Sequence, residues 1–245
     1  MRTVAATRYV TPLREGGSLP AVVEGDDGRS WVLKFRGAGQ GRKALVAELI
    51  AGELARALGL PVPELALMEL DPVLGRNEPD AEIQALLRAS AGVNLGLAYL
   101  PGAIGYDPSM GAPPLASEIV WFDALTANVD RTPRNPNLLL WHKQLYLIDH
   151  GAALYFHHDW DRFLSRSRDP FPAIRDHVLL PFAGGLREAD AALALRLDEA
   201  LVRQIVALVP DDWLEGARDH YREFLWQRLQ PPRAFVEEAA RAHDL

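Results

Sequence analysis

The sequence predicts an α+β chain in two regions: a small strand-rich N-terminal region holding a single prominent helix, and a mainly helical C-terminal region. Three observations predict it. Up to Leu100, short alternating or continuous apolar segments are separated by Gly-, Pro- and Asp-rich turns. Among them a single long stretch, Lys43 to Leu58, carries its apolar residues at helical spacing. From Ile174 onward helical spacing dominates. The chain has 245 residues, 49% hydrophobic and 24% charged, enough for one large domain or two lobes about a cleft and too apolar for disorder.

The first elements read as strands. Ala5 to Val10 is one, ending at Thr11-Pro12, and Arg14 to Ser18 makes a turn before a second at Ala21 to Glu24. Gly25-Asp26-Asp27-Gly28 is a strong turn signal, and Ser30 to Phe35 alternates as the third strand. On it Trp31, Leu33 and Phe35 share one face, and Val32 and Lys34 the other. The basic glycine loop Arg36 to Arg42 lacks the Gly-Lys-Ser/Thr ending of a P-loop.

The Lys43–Leu58 helix carries an apolar stripe of Val46, Leu49, Ile50, Leu54, Ala57 and Leu58, with Gly59 as a ready C-cap. Glu48 lies beside that stripe with Gly52 and Ala55 on its own face, and Glu53 is a second carboxylate on the same helix. Leu60-Pro61-Val62-Pro63 ends the helix. Leu65 to Leu70 reads as a strand, Ala81 to Ala89 as a short helix, and Gly92 to Leu100 as a further strand. Tyr99-Leu100-Pro101-Gly102 breaks the pattern, so the chain is expected to cross between the two regions at Tyr99 to Gly105; Tyr106 to Pro114 is a loop.

The stretch WFDALTANVDRTPRNPNLLLWHKQLYLIDHGAAL, Trp121 to Leu154, places unusual polar residues between core-like segments. Asp130, Arg131, Asn135 and Asn137 fall in a Pro-containing loop. Two short apolar runs then flank His142-Lys143-Gln144, a hairpin signature, and the second delivers Asp149 into His150-Gly151. Burying unpaired carboxylates is costly, so a core gains nothing from them. An Asp in a loop, an Asn ahead of a strand and an Asp after the next strand can hold a magnesium ion and orient a hydroxyl. Beyond it, His157 and His158 are adjacent and lack ligand spacing, so they read as loop residues, and the segment with Arg162, Arg166 and Arg168 as a solvated connector. Helices are predicted over 188–208, 213–229 and 233–243.

With a net charge of -7 the chain is a poor candidate for broad nucleic-acid binding. Zero cysteines exclude disulfides and thiolate metal sites. The start, MRTVAATRYV, lacks a signal-peptide core, and no apolar run, lipid anchor or basic amphipathic helix points to a membrane. A soluble, cytoplasmic protein is expected.

The ordered residues resemble the HipA-like kinases. The likeness runs from W-V-L-K-F and A-E-L-I-A-G-E-L-A-R-A-L-G-L-P-V-P, through N-V-D-R-T-P-R-N-P-N-L-L-L and L-I-D-H-G-A-A-L, to D-H-V-L-L and P-D-D-W-L. It implies a bilobal protein-kinase-like fold over residues 1–245, its N-lobe about 1–100 and its C-lobe about 106–245, binding ATP with Mg²⁺. Position by position, Asp130 resembles the catalytic Asp, Asp149 the metal ligand, Lys34 the phosphate-pairing lysine and Glu48 its helix partner. The metal-binding Asn lies five residues after the Asp and immediately before the strand in related kinases; Asn135 meets the first criterion and Asn137 the second. Arg131 either stabilises transferred charge or orders the loop. Gly16, Gly17 and Ser18 would cover phosphates, and the backbone at Tyr99 and Leu100 would meet adenine. His150 stands where protein kinases have Phe. The implied acceptor is a hydroxyl, of a protein Ser or Thr or of a small molecule. AMP transfer on the same fold and a nucleotide-binding pseudokinase are the competing readings.

Overall fold

A computed structural model describes residues 1–13, 19–39, 41–76 and 78–245. Gly16, Gly17 and Ser18 lie outside the described residues. Strands β1 (Thr3–Pro12), β2 (Ala21–Gly25), β3 (Ser30–Lys34), β4 (Leu65–Leu70) and β5 (Gly92–Ala98) close into a barrel in the order β1-β2-β3-β5-β4. All neighbours are antiparallel except β1 and β4, which run parallel with Thr3 opposite Leu67. Alternation puts Val4, Val23, Trp31, Leu33, Met68 and Leu70 inside. At the β2–β3 turn a Cβ on Gly25 would meet Val4 Cγ1 at 2.6 Å and Asp27 Oδ1 at 2.7 Å, so glycine is required there.

Helix α1 (Gly41–Leu58) carries the fully buried Val46, Leu49, Ile50 and Leu54. These residues join the main core of the helical lobe, whereas the barrel keeps a core of its own closed by Ile83 and Leu87 of α2 (Ala81–Ala89). The helix is therefore anchored across the cleft. Arg42 Nη1 to the Asp212 carbonyl (2.8 Å) and Arg196 Nη1 to the Leu58 carbonyl (2.8 Å) reinforce that anchoring.

After β5 the chain turns at Gly102, whose φ of 75° suits glycine, and crosses to the helical lobe. A two-residue strand β6 (Ile104–Gly105) then pairs with β7 (Leu138–Trp141), which pairs with β8 (Gln144–Leu147). The crossing therefore ends in a strand that its short, solvent-facing sequence did not announce. His142 and Lys143 both have positive φ, the signature of a two-residue hairpin loop; Gln144 already belongs to the strand. Helix α3 (Ala116–Thr126) is almost wholly buried and enters the loop at Asn128. Its last carbonyls, of Ala124 and Leu125, accept from the buried guanidinium of Arg228 (2.8 Å each).

Three readings of the C-terminal half are corrected. The predicted 188–208 helix is two, α5 (Leu186–Leu193) and α6 (Glu199–Val206), because Asp198 caps a new start by accepting from the Leu201 N–H at 2.7 Å; between α3 and α5 stands the short α4 (Phe163–Arg166). The predicted 213–229 helix is broken by positive φ at Glu215 and Gly216 into α7 (Asp211–Leu214) and α8 (Arg218–Leu229); α9 (Ala234–His243) follows. His157 is a core residue, 1% exposed, whose Nδ1 lies 3.0 Å from the Tyr221 hydroxyl, and burial holds its pKa down at about 3.

Candidate active site

Three elements bring the polar residues to one cleft. Strand β3 presents Lys34 on the face away from the barrel core, and α1 brings Glu48 beneath it. Lys34 Nζ lies 2.6 Å from Glu48 Oε2 and 2.6 Å from Asp149 Oδ1. Burial opposes the charge on Lys34, but the two carboxylates outweigh it and raise its pKa. Burial likewise pushes Glu48 up; the Lys34 charge and the His150 ring bring it down to about 2. Glu48, not Glu53, is thus the lysine's partner: Glu53 pairs with Arg56 at 3.2 Å. The cavity behind Lys34 is walled by Phe35, Ala38, Ala44, Glu48 and Asp149.

Asn137 and Asp149 stand at matching ends of the β7–β8 hairpin, one immediately before it and the other just after. Both have positive φ, 50° and 56°, a conformation that Asn and Asp tolerate better than most L residues. The Ile148 N–H donates to the Asn137 carbonyl at 3.1 Å, so these ends are neighbours. Across from them Asp130 Oδ2 accepts from Asn135 Nδ2 at 2.8 Å and from Asn137 Nδ2 at 3.3 Å. Both asparagines therefore converge on one carboxylate. They differ in setting: Asn137 is buried with its carbonyl gripped by Arg131 and Ile148, whereas Asn135 sits on an exposed turn bridged to Thr132.

Arg131 points away from the cleft. Its guanidinium is enclosed, pairs with Asp123 of α3 and donates to the Asn137 carbonyl, with a longer contact to the Ile148 carbonyl at 3.3 Å. Of its two expected roles, stabilising transferred charge or ordering the loop, the enclosed position supports ordering the loop. Asp123 also meets His177 Nε2 at 2.9 Å and Asn128 Nδ2 at 3.0 Å. Burial opposes its charge, but Arg131 and His177 hold its pKa far below the usual carboxylate range. Asp123, Asn128 and His177 escaped the sequence reading. The available signal was a lone Asp within the apolar run W-F-D-A-L, where a buried charge demands a partner.

Tyr99 and Leu100 leave β5 at the crossing, apart from the cavity behind Lys34. The Tyr99 N–H donates to the Ser30 carbonyl at 3.1 Å and its ring is exposed. Beside the Asp130 loop, Thr132, Pro133 and Arg134 line an open concavity together with Val178, Leu180 and Pro181.

Among the described residues no three His, Cys, Asp or Glu side chains converge as a metal cluster. The cleft instead offers hard oxygen donors: the Asp149 carboxylate and a neighbouring carboxamide. That set fits a magnesium-class ion arriving with phosphate oxygens and water rather than one caged by protein alone.

A family model described as HipA-like kinase matches residues 7–231. Among solved structures, the Helicobacter pylori proinflammatory kinase CtkA superposes with a TM-score of 0.60 at 12% identity, covering 99% of this chain and 98% of that one. The Golgi casein kinase with Mn/ADP bound gives 0.59 at 12% identity, covering 98% of this chain and 74% of that one. Another structure of the Golgi casein kinase gives 0.57 at 13% identity over 99% and 73%. At these identities the likeness is one of fold, the bilobal kinase-like fold. A search of the curated proteins finds no match.

Proposed function

The chain belongs to the HipA-like kinase family, and from that premise we propose that it transfers the γ-phosphate of ATP, with a divalent cation, to a hydroxyl acceptor. One observation carries the reading: Lys34 meets both Glu48 and Asp149 at 2.6 Å, beside a loop in which two asparagines converge on Asp130. Phosphoryl transfer needs positioning and charge neutralisation more than covalent help, and these groups offer both.

In this proposal Asp149 and Asn137 would hold a magnesium ion. When bound, the ion would neutralise phosphate charge and align the phosphates. Lys34, steered by Glu48, turns from Asp149 to a non-bridging phosphate oxygen. Asp130 accepts a hydrogen bond from the attacking hydroxyl, orients it and takes its proton late. Asn135 keeps the Asp130 carboxylate turned toward that hydroxyl. Arg131 acts at one remove, fixing the loop through Asp123 and the Asn137 carbonyl. Tyr99 and Leu100 are proposed to meet adenine at the crossing.

The acceptor is proposed to be a Ser or Thr hydroxyl of a protein. The open concavity beside Asp130 supports a polypeptide, with Pro133, Val178, Leu180 and Pro181 as apolar lining and Arg134, and Arg175 beside Asp176, as charged lining. A casein kinase, one of the solved relatives, is by its name a kinase of a protein.

Calorimetric titration with ATP tests the nucleotide half of this reading. Binding should require Mg²⁺ or Mn²⁺ and should be lost in Asp149→Ala. Equal binding with and without a divalent cation would contradict it.

A further inference from the structure

His150 follows Asp149, and the left-handed backbone at Asp149 sends the two side chains apart. The Asp149 side chain is 42% exposed in the cleft, while His150 is 2% exposed and points inward. Its Nδ1 faces Glu48 Oε1 at 3.6 Å, and its ring stands edge-on to Phe122 of α3 with centroids 5.8 Å apart. Glu48 Oε2 is taken by Lys34. Glu48 Oε1 is buried without a hydrogen-bond partner among the described residues, and so is His150 Nε2. An ionised buried carboxylate is costly unless its oxygens are satisfied, and His150 Nδ1 faces Oε1 from 3.6 Å.

We propose that His150 is a positioning residue for nucleotide binding, a second anchor for Glu48 that ties the Asp149 turn to α1. Nδ1–H donates to Oε1 once a shift of a few tenths of an ångström closes the 3.6 Å gap. Glu48 is then held at both oxygens while Lys34 leaves Asp149 for phosphate. An apolar ring at position 150 would fill the same space against Phe122 and leave Oε1 unanchored. This inference rests on the phosphotransfer reading for its effect on nucleotide affinity, but the His150–Glu48 contact can be measured without any activity.

Two measurements decide it. The first is a double-mutant cycle in urea unfolding with His150→Phe, Glu48→Gln and the double variant. Non-additivity of at least about threefold in the unfolding constant is expected for groups in contact. The second is ATP kinetics on His150→Phe and His150→Asn, whose amide nitrogen stands near the place of Nδ1. His150→Phe should raise KM for ATP roughly three- to tenfold with little change in kcat, the scale of one ordinary net hydrogen bond acting through Glu48, and His150→Asn should restore most of it. Additive stabilities would overturn the anchor whether or not the protein is active. Coupling with an unchanged KM, or a loss in kcat alone, would overturn the positioning role. If wild type transfers no phosphate, the kinase reading and the nucleotide role fall together, and the cycle shows whether the anchor itself exists.

Discussion

Arg131 and Asp123 form an ion pair with no solvent exposure on either side chain. The pair spans the end of α3 and the loop bearing Asp130, and Arg131 continues it to the Asn137 carbonyl. Loop geometry at the cleft is thereby set from inside the helical lobe. Removing one partner strands a buried charge. Asp123→Asn or Arg131→Met should each cost about 3–5 kcal/mol in urea unfolding, and the double variant less than their sum. A cost near zero for the single variants would show that the loop is held some other way.

The two asparagines should separate functionally. Asn137→Ala removes the fixed amide next to Asp149 and should raise the Mg²⁺ concentration for half-maximal activity by about tenfold or more, the scale of losing one metal ligand or its orienting partner. Asn135→Ala frees one side of Asp130 and should lower kcat while leaving the Mg²⁺ requirement near that of wild type. Titrating Mg²⁺ at saturating ATP reads both; the reverse pattern would assign the metal to Asn135.

Lys34→Met and Glu48→Gln should weaken nucleotide binding in the order Lys34 then Glu48, because of the two only the lysine is proposed to touch phosphate. Each removes charge from a buried pair, so thermal stability without ligand should be measured alongside. Tighter nucleotide binding in Lys34→Met would mean that the lysine serves only the carboxylates.

Acid should destabilise the fold in two stages. Burial holds His157 down at about 3, and it also lowers His177 although Asp123 partly opposes it. Unfolded imidazoles protonate below about 6.5, so the unfolded state binds the extra protons and stability falls as pH drops from about 6.5 toward the folded value of His157, about 3. Asp123 and Glu48, held below their ordinary values, add stability that is present above about 4 and lost as pH falls further. Tm against pH should show both limbs, and His157→Gln should flatten the upper one. Parallel curves would show that His157 is not the group responsible.

Much of this site was legible in the sequence, and the reasons are local. Lys34 stood out by strand alternation, Glu48 by its face on α1, and Asn137 and Asp149 by standing at the ends of a hairpin that its two apolar runs announced. Arg131 was seen but its direction was not, since a partner eight residues back on a helix leaves no spacing rule in the loop. His177 reaches Asp123 across 54 residues and the His150–Glu48 approach spans two lobes, contacts that only the fold creates. The broken helices failed for a different reason: helical periodicity continued through Asp198 and Gly216, while the cap and the positive-φ turn set the true ends.

Transfer of label from ATP carried on either the γ- or the α-phosphorus, in Mg²⁺ and with wild type, Asp130→Ala and Asp149→Ala, tests the central claim most directly. The expected result is γ-label on protein, abolished in both variants. Label from the α-position would contradict it and assign AMP transfer to the same cleft, and γ-label that persists in Asp130→Ala would remove that residue from the chemistry.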